Sequence, residues 1–399
     1  MKQSVAIMDF GSSKITVLIG SRGINNSLRI DGIGVSEYMG IFNGKWSDGD
    51  NLATAISHAI SAAESYARTK ITRLYVGVPG DFLQCKVNAE AISLGRKRRI
   101  QERDVEALHK RANIFDDDEN YRVINVQPIY YKLDDERKLL MPIGIASTRL
   151  EGCISFMVAD VKNFIEPVEA ALDGTNVRDI DYVAAPLAEM LYLFDDYRRD
   201  KCVMFADVGA GGTSLEIGRG DGICRHYFFP WGGERITLAL IEHFDISKRE
   251  ADKLKRCVSL TLEPNYVPPD DEAGYMQTEY VVDCDYDKHS YSVAEVNELV
   301  KGTIRKFADL IEKSLRGCDY PYPETITLAV TGGGLSVRGA SEYLGKCLGR
   351  EVELVKPNQP LFDKPNMSSP LAVMDMVLSG EVVYTGPAGK LRRLFSKQR

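Results

Sequence analysis

Residues 4–20 read SVAIMDFGSSKITVLIG, and residues 202–218 read CVMFADVGAGGTSLEIG. Each stretch contains an apolar strand, an Asp-x-Gly step, a turn of small residues, and a second strand with a glycine eleven positions after the aspartate. Two strands around a tight Gly/Ser turn predict a β-hairpin. Because the hairpin occurs twice, about 200 residues apart, the repetition favours a fold with two lobes.

The turns of both hairpins have a composition that suits phosphate. Small residues leave backbone N–H groups uncovered, and hydroxyl groups add donors. Asp9 and Asp207, which end the incoming strands, can hold a hydrated Mg²⁺. An ordinary hairpin would look the same in a single copy, but two matched copies favour the phosphate site. The predicted phosphate-binding residues are Gly11, Ser12, Ser13 and Lys14, whose ammonium adds a positive charge, and Gly209, Gly211, Gly212 and Thr213.

A triple glycine follows another apolar strand near the end of the chain. Residues 326–339 read ITLAVTGGGLSVRG, and a helix is predicted over 340–348. Gly332, Gly333 and Gly334 would let an adenine and its ribose lie against the backbone, because they have no side chains. A purely structural loop is the alternative.

Two further elements lie between the second hairpin and the triple glycine. Residues 230–237 read PWGGERIT and include Gly232 and Gly233, just before a predicted helix. Asp252 and Lys255 are three positions apart and share a helix face. A carboxylate for ribose hydroxyls beside an ammonium fits a nucleotide site, although a solvated ion pair would have the same spacing.

The composition is that of a folded protein. Of 399 residues, 44% are hydrophobic and 27% charged, which allows about two to three domains. The net charge of −7 argues against a nucleic-acid-binding surface. Eight cysteines without a CxxC pair indicate a reducing compartment, and the absence of HExxH and GxxxxGK[ST] motifs excludes zinc-protease and P-loop classes. With neither a signal peptide nor a long apolar run, the chain is expected to be cytosolic.

The order and spacing of these motifs resemble the actin, Hsp70 and sugar-kinase superfamily and, within it, the FtsA family of bacterial cell-division proteins. The closer match rests on residues 9–14, 53–64, 74–80, 231–237 and 250–255. The resemblance implies an α/β, actin-like two-lobed ATPase fold with an inserted small α+β subdomain in the first lobe and a C-terminal amphipathic helix. It also implies ATP and Mg²⁺ as cofactors, bound between the lobes.

The resemblance further implies how the chain is divided. The first lobe would contain residues 1–80, 161–200 and 357–379, and the insert residues 81–160. The second lobe would contain a larger subdomain (201–232 and 301–356) and a smaller one (233–300), followed by a linker (380–389) and a membrane-targeting helix (390–399).

Local patterns within these divisions predict further elements. Helical spacing predicts a helix over 101–112, and apolar runs predict strands over 121–131 and 151–159. Residues 262–292 are rich in Tyr, Asp and Pro and are predicted to be irregular. In the second hairpin, Ala210 and Ser214 replace a glycine and an aspartate that are common in the family, which changes the expected phosphate and metal contacts.

Superfamily members that hydrolyse ATP well place Gln or Glu just before the helix that connects the lobes, to orient the attacking water. Here that helix is predicted over 186–194, and the preceding Ala185 can orient nothing. Glu189 lies one turn further on, where a surface or packing role is favoured over catalysis. No catalytic residue is therefore assigned, and tight ATP binding with slow or undetectable turnover is expected.

The last ten residues read KLRRLFSKQR and contain five cations and no acid. Subtracting their charge of +5 from −7 leaves −12 for the other 389 residues. The apolar side chains lie at i, i+3 and i+4 among the cations, which is the pattern of an interfacial amphipathic helix. A solvated basic end and a nucleic-acid tail are the alternatives. The predicted membrane-binding residues are Leu391, Arg392, Arg393, Leu394, Phe395 and Lys397.

The energetics of such a tail are marginal. Each apolar side chain contributes about 1.5 kcal/mol when buried, and each cation near anionic lipid about 1 kcal/mol. Ordering the segment costs about 1 kcal/mol per residue. Stable attachment would therefore need many tails on one assembly.

The resemblance implies a polymer that tethers FtsZ filaments to the cytoplasmic face of the membrane at the division site and recruits later division proteins. The expected partners are the C-terminal peptide of FtsZ, docking on the smaller subdomain of the second lobe, further copies of the chain, other division proteins and anionic lipid, with no nucleic acid. One alternative is a pilus-assembly adaptor resembling PilM, which shares both hairpins but does not need the basic tail. A small-molecule kinase is less favoured, because no convincing catalytic Asp is found.

Overall fold

The computed structural model describes residues 4–38, 40–42, 44–47, 49–114, 119–261, 278–284 and 287–380. The strands of this part are β1 (Val5–Phe10), β2 (Lys14–Arg22), β3 (Leu28–Glu37), β4 (Ile41–Phe42), β5 (Lys45–Trp46), β6 (Arg73–Val78), β7 (Leu83–Arg99), β8 (Tyr121–Lys132), β9 (Lys138–Leu139), β10 (Ala146–Asp160), β11 (Asp179–Ala184), β12 (Val203–Val208), β13 (Thr213–Arg219), β14 (Gly222–Phe229), β15 (Glu279–Asp283), β16 (Lys288–Ser292), β17 (Leu328–Thr331) and β18 (Val352–Leu354). Its α-helices are α1 (Gly49–Ala67), α2 (Glu102–Ala112), α3 (Glu166–Leu172), α4 (Ala185–Leu193), α5 (Asp196–Lys201), α6 (Glu234–Phe244), α7 (Lys248–Cys257), α8 (Val293–Arg316), α9 (Ala340–Leu348) and α10 (Ser368–Ser379).

The two lobes are built on sheets of the same topology. The first sheet has the order β3-β2-β1-β6-β11, and the second has the order β14-β13-β12-β17-β18. In both, the first three strands in chain order are antiparallel neighbours, and the later two add in parallel. Parallel addition places the ends of β1 and β6, and of β12 and β17, at one edge of each sheet. The sequence repeat is therefore a repeat of whole sheets.

Each sheet is covered by its own helices through apolar faces. Ile56 of α1, Val168 of α3 and Leu371 of α10 belong to the core of the first lobe. Ile236 of α6 and Ile304 of α8 belong to the core of the second. Helix α10 comes late in the chain but packs on the first sheet, so the chain crosses back to the lobe where it began.

The segment after β6 forms a separate sheet of order β7-β10-β8-β9. Helix α2 covers it through Val105, Leu108 and Ala112, and these side chains form a core of their own. The sheet also contacts the second lobe: Ser155 Oγ donates to the Ile223 carbonyl at 2.6 Å, and the Asp221 N–H donates to the Pro128 carbonyl at 3.1 Å. This inserted sheet therefore bridges the lobes at the turn between β13 and β14.

Several predicted elements are confirmed. Both hairpins form, with Asp9 opposite Thr16 and Asp207 opposite Ser214. The helix predicted over 340–348 is α9, and that predicted over 101–112 is α2. The strands predicted over 121–131 and 151–159 lie within β8 and β10, and the connecting helix is α4, which begins one residue earlier than expected.

Two elements differ from the prediction. The irregular segment expected over 262–292 is wrong for its described end, because β15 and β16 pair as an antiparallel hairpin. Tyr280 and Val282 are buried there while Val281 is exposed, an alternation that the polar composition concealed. Strand β7 was not predicted, because much of its length is polar and at least partly exposed.

The predicted amphipathic helix over 390–399, and the linker beyond Gly380, lie outside the described residues. Among the helices that the structure does describe, none combines the length and apolar character needed to cross a membrane.

Candidate functional site

A cleft of about 850 Å³ lies between the two lobes and is lined by residues of both. Asp9 at the end of β1 and Asp207 at the end of β12 face it from opposite sides. Both aspartates occupy this position because each ends the central strand of a sheet whose parallel neighbour ends at the same edge. The cleft is thus formed by the two matched hairpins.

The two hairpin turns have the same backbone hydrogen bond. The Gly11 N–H donates to the Lys14 carbonyl, and the Gly209 N–H donates to the Gly212 carbonyl, both at 2.9 Å. Between these bonds, the N–H groups of Ser12, Ser13 and residues 210–212 have no acceptor within the described part of the chain. Such groups can donate to phosphate oxygens.

The tips of the two turns touch each other. A β-carbon on Gly211 would lie 3.1 Å from Cβ of Ser12 and 3.3 Å from the Ile41 carbonyl oxygen. Gly209 also lies close to this contact, since a β-carbon there would be 3.6 Å from Ser12 Oγ. Glycine in the second turn therefore allows the two lobes to approach each other at the floor of the cleft.

The triple glycine packs against the second hairpin and also lines the cleft. A β-carbon on Gly332, whose φ is +82°, would overlap the Asp207 carboxylate, and one on Gly334 would overlap the Gly209 carbonyl. Gly333 has only Asn366 within reach, at 3.3 Å, and faces the cleft. Gly332 and Gly334 are therefore required for packing against the second hairpin, and all three glycines line the cleft.

The element after the second hairpin holds that hairpin in place. The Gly233 N–H donates to the Gly209 carbonyl at 3.0 Å, and a β-carbon on Gly232 would overlap the Ala210 carbonyl. Lys255 Nζ donates to the Gly233 carbonyl at 2.5 Å. Burial lowers the pKa of this lysine, while the nearby Asp252 raises it.

Asp252 and Lys255 lie on one face of α7 and both line the cleft. Asp252 accepts a hydrogen bond of 3.0 Å from Thr237 Oγ1 and is therefore held by α6. The pair is not a solvated surface ion pair, because Lys255 is partly buried and bound to backbone.

Asp9 has partners that favour its charged form. Ser369 Oγ, in the first turn of α10, donates a hydrogen bond to Asp9 Oδ1. Burial is the largest influence and raises the pKa of Asp9 to about 6, while Ser369 and Lys14 lower it. The serine was missed by sequence reasoning, since it is 360 positions away along the chain.

Asp207 has mainly acidic neighbours. Burial, followed by the charges of Asp9, Glu216 and Asp81, raises the pKa of Asp207 to about 7. Glu189 of α4 also faces the cleft, and its pKa is raised by burial and then by Asp207. Its Oε1 has no hydrogen-bond partner in the described residues. A buried set of carboxylates with an unmatched oxygen is chemically suited to a cation.

The surface position considered for Glu189 is wrong. Its side chain is 1% exposed and lines the cleft, one helical turn after Ala185, which also lines it. The helix that connects the lobes begins at Ala185, so both residues point from the same helix toward the hairpins. The sequence pattern placed the helix correctly but gave no sign of which face meets the cleft.

A buried His–Glu pair supports the site from behind. His226 Nδ1 lies 2.9 Å from Glu216 Oε1, and His226 Nε2 lies 3.0 Å from the Gly80 carbonyl oxygen of the first lobe. Burial raises the pKa of Glu216, and the hydrogen bond with His226 lowers it. This pair links the lobes beside Asp81, and no sequence motif indicated it.

Most of the residues predicted to bind the cofactor line the cleft, and three do not. Gly211 and Gly232 pack closely against neighbouring loops. Thr213 is fully buried, and its hydroxyl donates to the Trp231 carbonyl at 2.6 Å. The residues that do line it are Asp9, Gly11, Ser12, Ser13, Lys14, Asp207, Gly209, Gly212, Gly233, Asp252, Lys255, Gly332, Gly333 and Gly334.

The inserted sheet has a recognised family. The sequence model of the SHS2 domain inserted in FtsA matches residues 80–157, a range that includes β7, α2, β8, β9 and most of β10. The match covers the segment that interrupts the first lobe.

Relatives described as cell division protein FtsA match more of the chain. Cell division protein FtsA of Streptococcus pneumoniae serotype 2 is 24% identical over 356 residues, which are 88% of this chain and 75% of the relative. Cell division protein FtsA of Buchnera aphidicola subsp. Baizongia pistaciae is 24% identical over 258 residues, which are 64% of this chain. The matched region spans 60% of the Buchnera relative, less than two thirds of its length.

A solved structure agrees on the fold. The PilM-PilN type IV pilus biogenesis complex matches with a TM-score of 0.62 and 15% identity, covering 95% of this chain and 99% of that chain. At this identity the likeness shows the fold alone, which is the actin-like ATPase fold with an inserted SHS2 domain. Since the similarity to FtsA extends over most of the sequence and includes the insert, this chain resembles FtsA and has the actin-like ATPase fold with an inserted SHS2 domain.

Proposed function

We propose that this chain binds ATP with Mg²⁺ in the cleft between its lobes. The observation that carries the proposal is the pair of matched turns, which present N–H groups without acceptors on both sides of buried Asp9 and Asp207. Phosphate oxygens would satisfy the N–H groups, and a dication would offset the carboxylates.

The residues present fit such a ligand. Lys14, Ser12 and Ser13 would contact the phosphates from the first lobe, and Gly209 and Gly212 from the second. Asp9 and Asp207 would hold the metal through its water shell, which neutralises phosphate charge. Asp252 and Lys255 would bind the ribose, and residues 332–334 would lie along the adenosine.

Slow turnover is part of the proposal. Ala185 stands where an efficient enzyme needs a side chain that orients water, and Glu189 lies one helical turn further on. We expect phosphate release to stay far below many turnovers per minute. Rapid release that is abolished by Glu189→Gln would overturn this expectation.

Binding can be tested with one variant and one matched control. Asp207→Asn removes a carboxylate in the cleft, and Asp309→Asn removes an exposed one on α8 of the same lobe. In titration calorimetry with Mg²⁺ and ATP, we expect Asp207→Asn to weaken binding about tenfold or more, and Asp309→Asn to leave it unchanged. Equal affinity in both variants would contradict a metal-bound nucleotide at Asp207.

We further propose that the chain acts in cell division as an actin-like polymer that tethers FtsZ filaments to the cytoplasmic face of the membrane and recruits later division proteins. The similarity to FtsA and the SHS2 insert support this role. The C-terminal peptide of FtsZ would dock on the smaller part of the second lobe, and the basic tail would bind anionic lipid.

Two experiments test these interactions separately. A pull-down with the C-terminal peptide of FtsZ, run with and without ATP, should retain the chain, and no retention in either condition would overturn the tether. Co-sedimentation with anionic liposomes should be lost when residues 389–399 are deleted, and unchanged sedimentation would exclude the tail as the anchor. ATP consumption that rises when a sugar is added would instead favour a kinase.

A further inference from the structure

Three side chains with metal-ligating atoms meet on the second lobe, outside the cleft. Glu250 lies in the first turn of α7, Cys284 follows β15, and His289 lies in β16. A carboxylate oxygen, the thiol sulfur and a ring nitrogen of these residues all lie within 4.8 Å of one another. Glu250 is largely buried and His289 is half exposed, so the cluster is anchored on one side and open to solvent on the other.

The distances between the three groups are close to those around a tetrahedral metal. Cys284 Sγ lies 3.7 Å from His289 Nδ1, and Nδ1 lies 2.5 Å from Glu250 Oε1. Metal–sulfur and metal–nitrogen bonds of about 2.3 Å and 2.0 Å at a tetrahedral angle separate S and N by about 3.5 Å. The separation of the sulfur and nitrogen therefore matches a tetrahedral site, whereas His289 Nδ1 and Glu250 Oε1 would have to move apart from hydrogen-bond distance.

The backbone fixes each ligand. Ser247 caps α7 by accepting from the Glu250 N–H at 3.2 Å, and His289 is held opposite Val282 in the hairpin. The Cys284 N–H donates to the Asp287 carbonyl at 2.7 Å across the turn. Glu250 is held by α7, and Cys284 and His289 are held by the β15–β16 hairpin. The cluster therefore rests on two regular elements.

Two contacts orient the cluster from outside. Tyr291 OH donates a hydrogen bond to Glu250 Oε1, which is the kind of partner that orients ligating carboxylates in metal sites. Lys253 Nζ donates to the Asp283 carbonyl at 2.6 Å and ties the hairpin to α7 directly.

We propose that Glu250, Cys284 and His289 bind Zn²⁺, with a fourth position left for water. A thiolate and an imidazole select zinc over Mg²⁺ and Ca²⁺, which take oxygen ligands, and three protein ligands with one open position are a common zinc arrangement. The metal would join the hairpin to α7, the helix whose other residues Asp252 and Lys255 line the cleft. The proposal does not depend on the nucleotide function, because none of its ligands lines the cleft.

Sequence motifs did not indicate this site. Cys284 and His289 are separated by four residues and have no second Cys or His nearby, and the glutamate comes from a helix 34 positions earlier. The hairpin, which the sequence analysis did not predict, brings the thiol and imidazole together.

The test uses Co²⁺ as a spectroscopic substitute for zinc, added to the full-length chain in excess Mg²⁺ so that the cleft carboxylates are occupied. We expect one Co²⁺ per chain, a near-ultraviolet band from thiolate coordination, and loss of that band when Zn²⁺ is added. Cys284→Ser should abolish the band, and His289→Ala should weaken Zn²⁺ binding about 10-fold or more. Cys257→Ser, which changes an exposed cysteine at the end of the same helix, should leave both unchanged.

A second measurement separates lost ligands from lost folding. Zn²⁺ should raise the thermal unfolding midpoint of the wild type and of Cys257→Ser, but not of Cys284→Ser, while all three keep the same affinity for Mg²⁺ and ATP. The proposal is overturned if Co²⁺ gives no saturable band, if the band survives in Cys284→Ser, or if it disappears in Cys257→Ser.

Discussion

Asp9 and Asp207 occupy equivalent positions in the two lobes, at the end of the central strand and before a turn closed by the same hydrogen bond. Their surroundings differ. Asp9 accepts a hydrogen bond from Ser369 and lies near the ammonium of Lys14, whereas the charges that act on Asp207 come from acids, including Glu216. Repetition of a hairpin therefore repeats backbone geometry without repeating the electrostatic environment.

The different electrostatic surroundings of Asp9 and Asp207 suit the two sides of the cleft to different parts of a ligand. The first lobe partly offsets the burial of its carboxylate through Ser369 and Lys14, and it offers Lys14 to phosphate. The charges that act on Asp207 are all acidic, those of Asp9, Glu216 and Asp81, and a bound cation would offset them. We therefore expect metal binding to depend more on the second hairpin than on the first.

The largest difference between the lobes should appear at the glycines that lie against the two aspartates. Gly77 pairs with Asp9, and a β-carbon there would be 3.1 Å from Val373 Cγ2. Gly332 follows the partner of Asp207, and a β-carbon there would overlap the carboxylate at a φ of +82°. Gly332→Ala should cost about 3 kcal/mol of unfolding free energy and Gly77→Ala about 1 kcal/mol, measured by urea unfolding without nucleotide.

A third glycine distinguishes the cost of atomic overlap from the cost of backbone strain. Gly95 also has a positive φ, of +75°, but nothing lies within 4 Å of a β-carbon placed there. Gly95→Ala should therefore cost only about 1 kcal/mol, the usual penalty for a left-handed conformation. If Gly332→Ala costs no more than this, Asp207 does not pack against the triple glycine as described.

The next largest effect should come from neutralising each aspartate in the absence of metal. Asp207→Asn should raise the unfolding free energy by about 1 to 2 kcal/mol at pH 8, because it removes a buried charge among acids. Asp9→Asn should give a smaller gain, since Ser369 and Lys14 limit the rise in the pKa of Asp9 to about 6. Urea unfolding of both variants in chelator measures the difference.

The pH dependence of the unfolding free energy independently tests whether the charge of Asp207 destabilises the folded chain. Because the pKa of Asp207 is raised from 3.8 to about 7 on folding, its charge destabilises the folded chain increasingly as pH rises through that interval. The advantage of Asp207→Asn over the wild type should therefore be absent below about pH 4 and be complete above about pH 7. An advantage that is constant across this range would contradict the assigned environment.

Particular residues show which parts of the fold and of the cleft could be predicted from the sequence and which could not. The hairpins, α2 and α9 were predictable, since turn composition and apolar spacing are local. Ser369 beside Asp9 was not, because the two residues are 360 positions apart in the chain. Glu189 beside Asp207 was not, because the sequence pattern gave no sign of which face of α4 meets the cleft. The sequence also did not distinguish strand from loop reliably in β7 and β15, where polar residues alternate with apolar ones.

A smaller effect is expected at the hydrogen bond that distinguishes the first aspartate. Ser369→Ala removes the donor to Asp9 and should cost about 1 kcal/mol of unfolding free energy. Ser336→Ala changes an exposed serine after the triple glycine and should remain within about 0.5 kcal/mol of the wild type. Equal costs in the two variants would mean that Asp9 and Asp207 are not distinguished by this bond.

The smallest effect should be that of Glu189→Gln at pH 7. Burial, followed by the charge of Asp207, raises the pKa of Glu189, which favours the protonated form, and glutamine is nearly equal to that form in shape and charge. We expect the unfolding free energy without metal to change by less than about 0.5 kcal/mol, in contrast to the gain from Asp207→Asn. A stabilisation by Glu189→Gln as large as that from Asp207→Asn would show that Glu189 carries the charge. The second hairpin would then be no more in need of a cation than the first, and the difference between the lobes would lie in α4.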